Sequence, residues 1–227
     1  MRPKLLAGED LPAEPLQKRS REKRERLKSA ALALFGERGY EATSIGDIAR
    51  RAKVAVGGFY QHFRSKRQLL MTLMDDLLEK LTEVNLQPGA GGDARSSLRD
   101  LLAAAFSRDL HYLGAYRAWQ EAMLSDPDLA EKQAAIQAWT TGRLTALFQF
   151  LQRQPGARAD VDAEALARVM DHFFWNLLAR AASMPKAELS EWLDISVHLI
   201  YHALFVDVAK KPKKKRTGAR SHRMVKQ

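Results

Sequence analysis

The sequence contains no cysteine in its 227 residues. This absence excludes disulfide bonds, thiolate metal sites and cysteine nucleophiles, and it is typical of proteins in a reducing compartment. No apolar run approaches the ~18 residues that a membrane-spanning helix requires. The N-terminus also lacks the apolar core of a secretion signal, because acidic residues and prolines occupy it. We therefore expect a cytoplasmic protein without a membrane partner.

The sequence also lacks the common signatures of enzymes. It has no glycine-rich phosphate loop, no G-x-S-x-G and no H-E-x-x-H, so we expect neither catalytic residues nor cofactors. It lacks runs of alternating β-branched residues as well, which predicts an all-α fold. Hydrophobic residues make up 46% of the chain, which is enough to fill a core.

Positive charge is concentrated at the two ends of the chain. Residues 1–67 hold 16 Lys and Arg against 8 Asp and Glu, whereas residues 68–209 hold 12 against 19. Residues 210–227 add nine basic groups and no acidic group. Since clustered cations dominate nucleic-acid affinity, this distribution favours DNA binding at the ends and not in the acidic middle.

Helical periodicity and breaker residues divide the chain into about nine helices. They are expected near residues 20–38, 44–52, 55–63, 69–84, 94–110, 112–124, 128–153, 162–183 and 187–206. Proline, charge and a scarcity of large apolar residues predict a disordered arm over residues 1–19. The basic segment 210–227 is expected to be a disordered tail that adds nonspecific DNA affinity.

Two short helices joined by a tight turn are expected within residues 43–62. The segment Ser44-Ile45-Gly46-Asp47 is similar to a capping box, so a helix is expected to begin at Ser44. Lys53-Val54 form the turn, and the next helix begins at Ala55. This arrangement is a helix-turn-helix unit, whose second helix fits the DNA major groove.

Residues 43–66 read TSIGDIARRAKVAVGGFYQHFRSK and resemble the motif T-[ST]-x-x-D-I-A followed by G-x-[FL]-Y-x-H-F-x-x-K of TetR-family transcriptional regulators. The resemblance covers about residues 20–80, and beyond it only the helical layout matches. It implies an N-terminal three-helix DNA-binding domain over 20–80 and a C-terminal helical domain over 81–209 for ligand binding and dimerisation. It also implies a bacterial protein associated with the nucleoid.

Three residues of the helix-turn-helix unit depart from the family pattern or from residues that favour a helix. Lys53 stands where the family usually has a turn glycine, and a left-handed conformation there costs ~1 kcal/mol. Gly46 stands where a larger polar residue is common. Gly58 loosens the third helix by up to ~1 kcal/mol relative to alanine. We therefore expect this helix to be partly frayed without DNA.

Phosphate contacts are expected at both ends of the helix-turn-helix unit. Thr43 and Ser44 place hydroxyls at a helix N-terminus, a position that suits a phosphate oxygen. The resemblance implies further phosphate contacts from Tyr60, His62 and Lys66. The alternatives are packing against the first helix for Tyr60 and surface capping for His62.

Base recognition is expected from Ala55, Val56 and Gly57, with Gln61 as a further candidate, because the N-terminal residues of a recognition helix meet base edges. Val56 can contact a thymine methyl group, Gln61 can pair with adenine, and glycine lets the backbone approach DNA closely. No arginine is placed to contact guanine, so part of the specificity is expected to come from DNA shape.

Aromatic residues and methionines are concentrated in the helical body, among a few polar groups. This mixture suits a small hydrophobic or aromatic ligand, although most of these residues serve as ordinary core under the alternative interpretation. The expected lining residues are Phe106, His111, Tyr112, Tyr116, Trp119, Met123, Trp139, Met170, Phe173, Phe174 and Asn176.

The last two helices carry apolar residues over more than one face, with Trp175 outside the main stripe. The resemblance implies that they pair with a second copy as a four-helix homodimer interface, and the alternative is burial within one subunit. The expected interface residues are Leu166, Val169, Leu177, Trp192, Leu199, Ile200 and Ala203. Two-fold symmetry of the protein implies a palindromic operator.

His198 and His202 lie four residues apart, a spacing that can bind a metal ion, but no third ligand is evident and no metal site is expected. The expected function is repression through double-stranded operator DNA, with release by a small hydrophobic or aromatic inducer. An architectural DNA-binding protein, or an activator without a small-molecule input, is the alternative.

Overall fold

The computed structural model describes residues 1–13, 15–83, 94–109, 112–181 and 184–205. Within these ranges the chain forms nine helices and no sheet, apart from an isolated bridge between Ala157 and Phe205. The helices are α1 Lys18–Arg38, α2 Ile45–Arg51, α3 Val56–Tyr60, α4 Lys66–Thr82, α5 Ala94–Asp109, α6 Leu113–Ala122, α7 Pro127–Gln152, α8 Ala163–Ala181 and α9 Lys186–Leu204. The predicted all-α fold is confirmed.

Local capping explains where several helices begin. Ser44 and Asp47 form a complete capping box at the start of α2, as the sequence predicts. Ser65 caps α4 by accepting a hydrogen bond from the backbone N–H of Gln68. Asp126 caps α7, whose first residue is Pro127.

The first four helices and α6 share one hydrophobic core. Leu27, Phe35, Ile48, Phe59 and Phe63 from the N-terminal part belong to the same buried cluster as residues of α4, α6, α7 and α8. The N-terminal domain is therefore packed directly on the body, which couples the positions of the two parts.

Two glycines allow α1 and α6 to cross at close range. A Cβ atom on Gly114 would lie 2.0 Å from the carbonyl oxygen of Leu32 and 3.0 Å from the backbone nitrogen of Gly36. Any side chain at residue 114 would thus push the two helices apart. The C-terminal helices α5, α7, α8 and α9 surround a second core, which includes Leu98, Phe148, Met170 and Ile200.

The N-terminal segment is folded against α4, contrary to the prediction of a disordered arm. Leu5 is only 1% exposed, and Arg2 forms ion pairs with Asp75 at 2.9 Å and Glu79 at 3.1 Å. Glu9 pairs with Arg67 at 2.9 Å. The prediction was wrong for residues 1–13 because it averaged composition over the segment, whereas one leucine and a few complementary charges hold it in place.

Residue 14 and the predicted tail at residues 210–227 lie outside the described residues. Among the helices that the structure describes, none has both the length and the apolar character required to span a membrane.

Candidate nucleic-acid interface

The turn between α2 and α3 has the geometry of a helix-turn-helix unit. Lys53 adopts a positive φ of 56°, as expected for a residue at the usual glycine position, and this conformation costs a non-glycine residue ~1 kcal/mol. The backbone N–H of Val54 donates to the carbonyl oxygen of Ala49 at 2.9 Å, which closes the turn. Phe59 is fully buried and anchors α3 to the core.

The recognition helix α3 is shorter than the sequence predicts. It ends at Tyr60 and not near Phe63, because the chain turns into the Ser65 cap of α4. A backbone hydrogen bond from Phe63 to the carbonyl oxygen of Phe59, at 3.0 Å, continues the helical path through this turn.

One face of α3 and its flanks is exposed. Ala55, Val56, Gly57, Tyr60 and Gln61 all lie on this face. The side chains of Val56 and Tyr60 are about half exposed although both are large and apolar or aromatic. The surface therefore offers small, apolar and amide groups close together, which are the groups that contact base edges and thymine methyls.

Thr43 is a structural residue and not an available phosphate ligand. Its side chain is fully buried, and its hydroxyl donates to the carbonyl oxygen of Gly39 at 2.7 Å. The predicted phosphate contact from this hydroxyl is therefore wrong in this structure. Its backbone N–H is also occupied, since it donates to the carbonyl oxygen of Tyr40 at 3.2 Å.

Ser44 is exposed, but Asp47 already engages its hydroxyl. The hydroxyl donates to Asp47 Oδ2 at 2.6 Å and accepts from the Asp47 backbone N–H at 3.1 Å. Hydrogen bonds from Ser44 lower the pKa of Asp47, and Arg50 lowers it further. A phosphate at this helix N-terminus would have to share the site with a carboxylate.

His62 points into the protein and not toward solvent. It is 5% exposed, and neither ring nitrogen has a hydrogen-bond partner among the described residues. Burial lowers the pKa of His62, and the nearby charges of Arg24 and Lys23 lower it further. The predicted phosphate contact is contradicted because the ring is enclosed by the protein.

Lys66 holds the loop between α1 and α2. Its Nζ donates to the carbonyl oxygen of Tyr40 at 2.7 Å and lies 4.0 Å from the centre of the Tyr40 ring. Burial lowers the pKa of Lys66. The partly buried ammonium is thus already engaged by Tyr40, which differs from the predicted phosphate contact.

Glu121 of α6 supports the same loop, a role that the sequence did not reveal. Its carboxylate accepts hydrogen bonds from the backbone N–H groups of Tyr40 at 2.7 Å and Glu41 at 3.0 Å. Arg117, also on α6, donates to the carbonyl oxygen of Gly36 at 2.9 Å. These contacts join residues 80 or more positions apart, so no short-range sequence pattern could signal them.

Exposed basic residues near α3 were not among the predicted contacts. The Arg50 side chain is exposed at the end of α2, and Arg64 follows α3 and forms an exposed ion pair with Asp10 at 3.2 Å. Surface ion pairs of this kind contribute little to stability, so both guanidinium groups can change partner. The only available signal was their position on either side of the recognition helix.

The expected ligand-binding residues are divided between two packing environments. Tyr116, Trp119 and Met170 are buried, whereas Tyr112, Met123, Trp139, Phe173 and Phe174 are partly buried. Trp119 donates to Gln133 at 2.9 Å within the first core, while Met170 belongs to the second. The side chains of Phe106 and His111 lie outside the described residues.

Asn176 does not line the interior, contrary to expectation. It is exposed, and its side-chain amide donates to the carbonyl oxygen of His172 at 2.9 Å. Trp175 takes the inward position instead and stacks on Tyr116 with ring centres 5.0 Å apart. The helical register of α8 therefore places residue 175, and not 176, against the core.

The expected interface residues also divide by exposure. Leu177 and Ile200 are buried within the subunit, so they cannot form the contact surface predicted for them. Leu166, Trp192 and Ala203 are partly buried. Val169 and Leu199 are exposed, and so is Ile195, which was not predicted.

The His198 and His202 rings lie 4.1 Å apart. No group of three His, Cys, Asp or Glu suited to a metal ion occurs among the described residues.

Comparison with known proteins gives consistent matches. The sequence model of bacterial regulatory proteins of the tetR family matches residues 27–72. The HTH-type transcriptional repressor KstR of Mycolicibacterium smegmatis is 28% identical over 182 residues, which cover 79% of this chain and 87% of KstR. The HTH-type transcriptional activator FasR of the same organism is 30% identical over 140 residues, 61% of this chain and 63% of FasR.

Solved structures agree with these matches. A TetR family transcriptional regulator from Pseudomonas syringae has a TM-score of 0.60 and 26% identity, over 82% of this chain and 98% of that protein. The matched proteins are regulators of transcription, and the helix-turn-helix geometry supplies the corresponding DNA-binding surface. Residues 27–72 thus form the DNA-binding region of the tetR family of bacterial regulatory proteins, and the chain is a DNA-binding transcriptional regulator.

Proposed function

We propose that the protein is a homodimeric repressor that binds a palindromic operator and is released by a small hydrophobic or aromatic ligand. Residues 20–80 bind DNA through the helix-turn-helix unit at 43–62, and residues 81–209 dimerise and bind the ligand. The proposal rests on the exposed face of α3, which lies in the N-terminal part of the chain where Lys and Arg outnumber Asp and Glu.

Base recognition is proposed for the exposed residues of α3 and its flanks. Val56 offers methyl groups to thymine, and Gln61 offers an amide to adenine. A Cβ atom at Gly57 would meet no protein atom within 4 Å. Since no internal contact requires this glycine, its proposed role is to let DNA approach the backbone.

Phosphate contacts are proposed for exposed groups around this surface. Tyr60 is exposed at the end of α3, and Ser44 is exposed at the start of α2, where Asp47 shares the site. Arg50 and Arg64 provide exposed guanidinium groups. Arginine can bind a phosphate through two parallel hydrogen bonds. Asp10 competes for Arg64, but a surface pair of this kind is readily exchanged for a phosphate.

The dimer interface is proposed to lie on the outer faces of α8 and α9. Val169 is 66% exposed, Ile195 is 50% exposed and Leu199 is 52% exposed. Large apolar side chains exposed to this extent suit an interaction surface. An interface between identical faces has a two-fold axis, which places the two α3 helices symmetrically and requires a palindromic site.

Ligand control is proposed through the body because α6 packs on both the core and the N-terminal domain. Arg117 and Glu121 contact the backbone at the end of α1. A ligand that binds one position of α6 more tightly would shift the population away from the DNA-binding arrangement.

The first test is selection of genomic DNA fragments by the full-length protein at moderate salt, followed by sequencing. We expect enrichment of one palindromic site. Gln61→Ala is expected to lose about tenfold in affinity for that site, while Gln149→Ala, at an exposed position of α7, should leave affinity unchanged. Uniform and salt-sensitive recovery of all fragments would contradict the proposal and favour an architectural role.

Activation is the second candidate because FasR, which covers 61% of this chain at 30% identity, is named an activator. KstR, named a repressor, covers more of the chain at 79%, and we therefore favour repression. Transcription in vitro from a template with the selected site separates the two. Repression predicts fewer transcripts when protein is added, and activation predicts more.

A further inference from the structure

A buried carboxyl group in α8 lacks a complete set of hydrogen-bond partners. Asp171 is 2% exposed, and its Oδ2 atom has no hydrogen-bond partner among the described residues. No lysine or arginine in the described part of the chain forms an ion pair with it. Buried carboxyl oxygens are normally hydrogen-bonded, so this atom calls for a specific explanation.

The surroundings of Asp171 come from three helices. Burial raises the pKa of Asp171 by more than it is lowered by hydrogen bonds from Thr140 and Thr141 of α7, the charge of His172 and a hydrogen bond from Trp175. Tyr116 of α6 stacks on Trp175 of α8 with an interplanar angle of 25°. Burial, followed by the negative charge of Asp171, raises the pKa of Tyr116 to about 12. A carboxyl, two hydroxyls and two stacked rings therefore lie together.

This combination of groups selects the charge of a ligand. A carboxylate oxygen accepts hydrogen bonds strongly from an ammonium or amidinium group, and aromatic faces attract cations. An anionic ligand would be repelled here, and residues 68–209 as a whole hold 19 acidic against 12 basic residues.

We propose that Asp171 anchors the cationic nitrogen of an aromatic amine or amidine, whose apolar part contacts Tyr116 and Trp175. This inference rests on the proposed function, since it specifies the class of ligand that the body senses. Tyr116 lies on the same helix as Glu121, which holds the loop after α1. A ligand at Asp171 thus contacts the helix that supports the DNA-binding domain.

The test uses three probes with one ring system and different charges: 2-naphthylmethylamine, 2-naphthylmethanol and 2-naphthoic acid. Their binding to the full-length protein is measured by titration calorimetry. We expect the amine to bind at least about tenfold more tightly than the alcohol, with the acid weakest, because the amine forms a charge-assisted hydrogen bond.

Asp171→Asn keeps the side-chain size and removes the negative charge. We expect it to reduce amine affinity to about that of the alcohol, with little change for the alcohol itself. Glu164→Gln is the matched control, because Glu164 is exposed on the same helix. This substitution removes one negative charge away from Asp171. It should leave the preference for the amine intact.

The inference is overturned if the unchanged protein shows no preference for the amine, either because all probes bind equally or because none binds. Loss of the preference in Glu164→Gln to the same extent would also overturn it. The probe comparison on the unchanged protein stands even if Asp171→Asn does not fold. Operator binding is measured on the same preparation, so a failure of DNA recognition is distinguished from a failure of this site.

Discussion

Two adjacent glycines in the recognition helix have different surroundings. A Cβ atom at Gly58 would lie 2.7 Å from Cγ1 of Val54, whereas one at Gly57 would meet nothing within 4 Å. Close packing of α3 against the turn therefore requires Gly58, while Gly57 is unconstrained within the protein. Gly58 is therefore required for folding, whereas Gly57 is available for the proposed approach of DNA.

Gly57→Ala is expected to raise the free energy of unfolding by about 0.5–1 kcal/mol, because alanine loses less backbone entropy in a helix. Gly58→Ala is expected to lower it by about 1–3 kcal/mol through overpacking against Val54. Urea unfolding measures both changes. If Gly57 lets the DNA backbone approach, Gly57→Ala also weakens operator binding; unchanged affinity would show that the glycine has no such role.

The enclosed ring of His62 makes the stability of the protein depend on pH. Its pKa in the folded state lies below the ordinary value of 6.5, mainly because of burial and also because of Arg24 and Lys23. As the pH falls through about 6.5, the unfolded chain therefore binds a proton that the folded protein does not. The free energy of unfolding is expected to decrease on acidification and to be independent of this group at higher pH.

Urea unfolding at pH 8 and pH 5.5 checks this expectation. His62→Gln should lose less stability between the two conditions than the unchanged protein. His198→Gln provides the control because His198 is exposed. Equal losses in the unchanged protein and His62→Gln would contradict the assignment of this pH dependence to His62.

Helix boundaries were predictable where their determinants are local. Ser44 and Asp47 are three residues apart and specify the start of α2, and Asp126 with Pro127 specifies the start of α7. The site was less predictable because the conformations of its side chains depend on distant groups. Lys66, for example, binds the carbonyl oxygen of Tyr40, 26 positions earlier.

The N-terminal segment shows the same limit. Its composition resembles that of a disordered chain, yet Leu5 is buried, and its backbone N–H donates to Asp75 at 3.4 Å. The partner lies 70 residues away, so the average composition of the segment does not report the contact. A resemblance to the family located the helix-turn-helix unit but did not indicate which polar side chains point inward.

The contact between α6 and the loop after α1 leads to a prediction for these two elements. Glu121→Ala removes the acceptor for two backbone N–H groups, those of Tyr40 and Glu41. We expect a loss of about 1–3 kcal/mol in the free energy of unfolding. Hydrogen exchange should become faster at these two amides. Glu131→Ala, at an exposed position of α7, is the control, and equal exchange rates in both variants would exclude a supporting role for Glu121.

At the scale of the whole molecule, one continuous core joins the DNA-binding helices to the body. Phe35 and Phe59 belong to the same cluster as Trp119 and Trp175. A shift in the body is therefore transmitted through packed side chains and not through a flexible linker. In the proposed dimer, the exposed residues of α8 and α9 hold the two α3 helices at a fixed separation.

Dimerisation is expected to depend on the exposed apolar residues Val169 and Leu199. Val169→Asp or Leu199→Asp places a charge in the proposed interface, where an unpaired buried charge is unfavourable. Each variant should shift the protein from dimer to monomer in analytical ultracentrifugation. Each should also weaken operator binding by at least about tenfold, because a monomer contacts only one half-site.

Leu124→Asp is the matched control for this prediction. Leu124 is 88% exposed between α6 and α7, and the substitution introduces the same charge away from α8 and α9. It should remain dimeric and bind the operator normally. If Val169→Asp and Leu199→Asp behave like this control, the two subunits associate through another surface, and the spacing of the half-sites must be set by different residues.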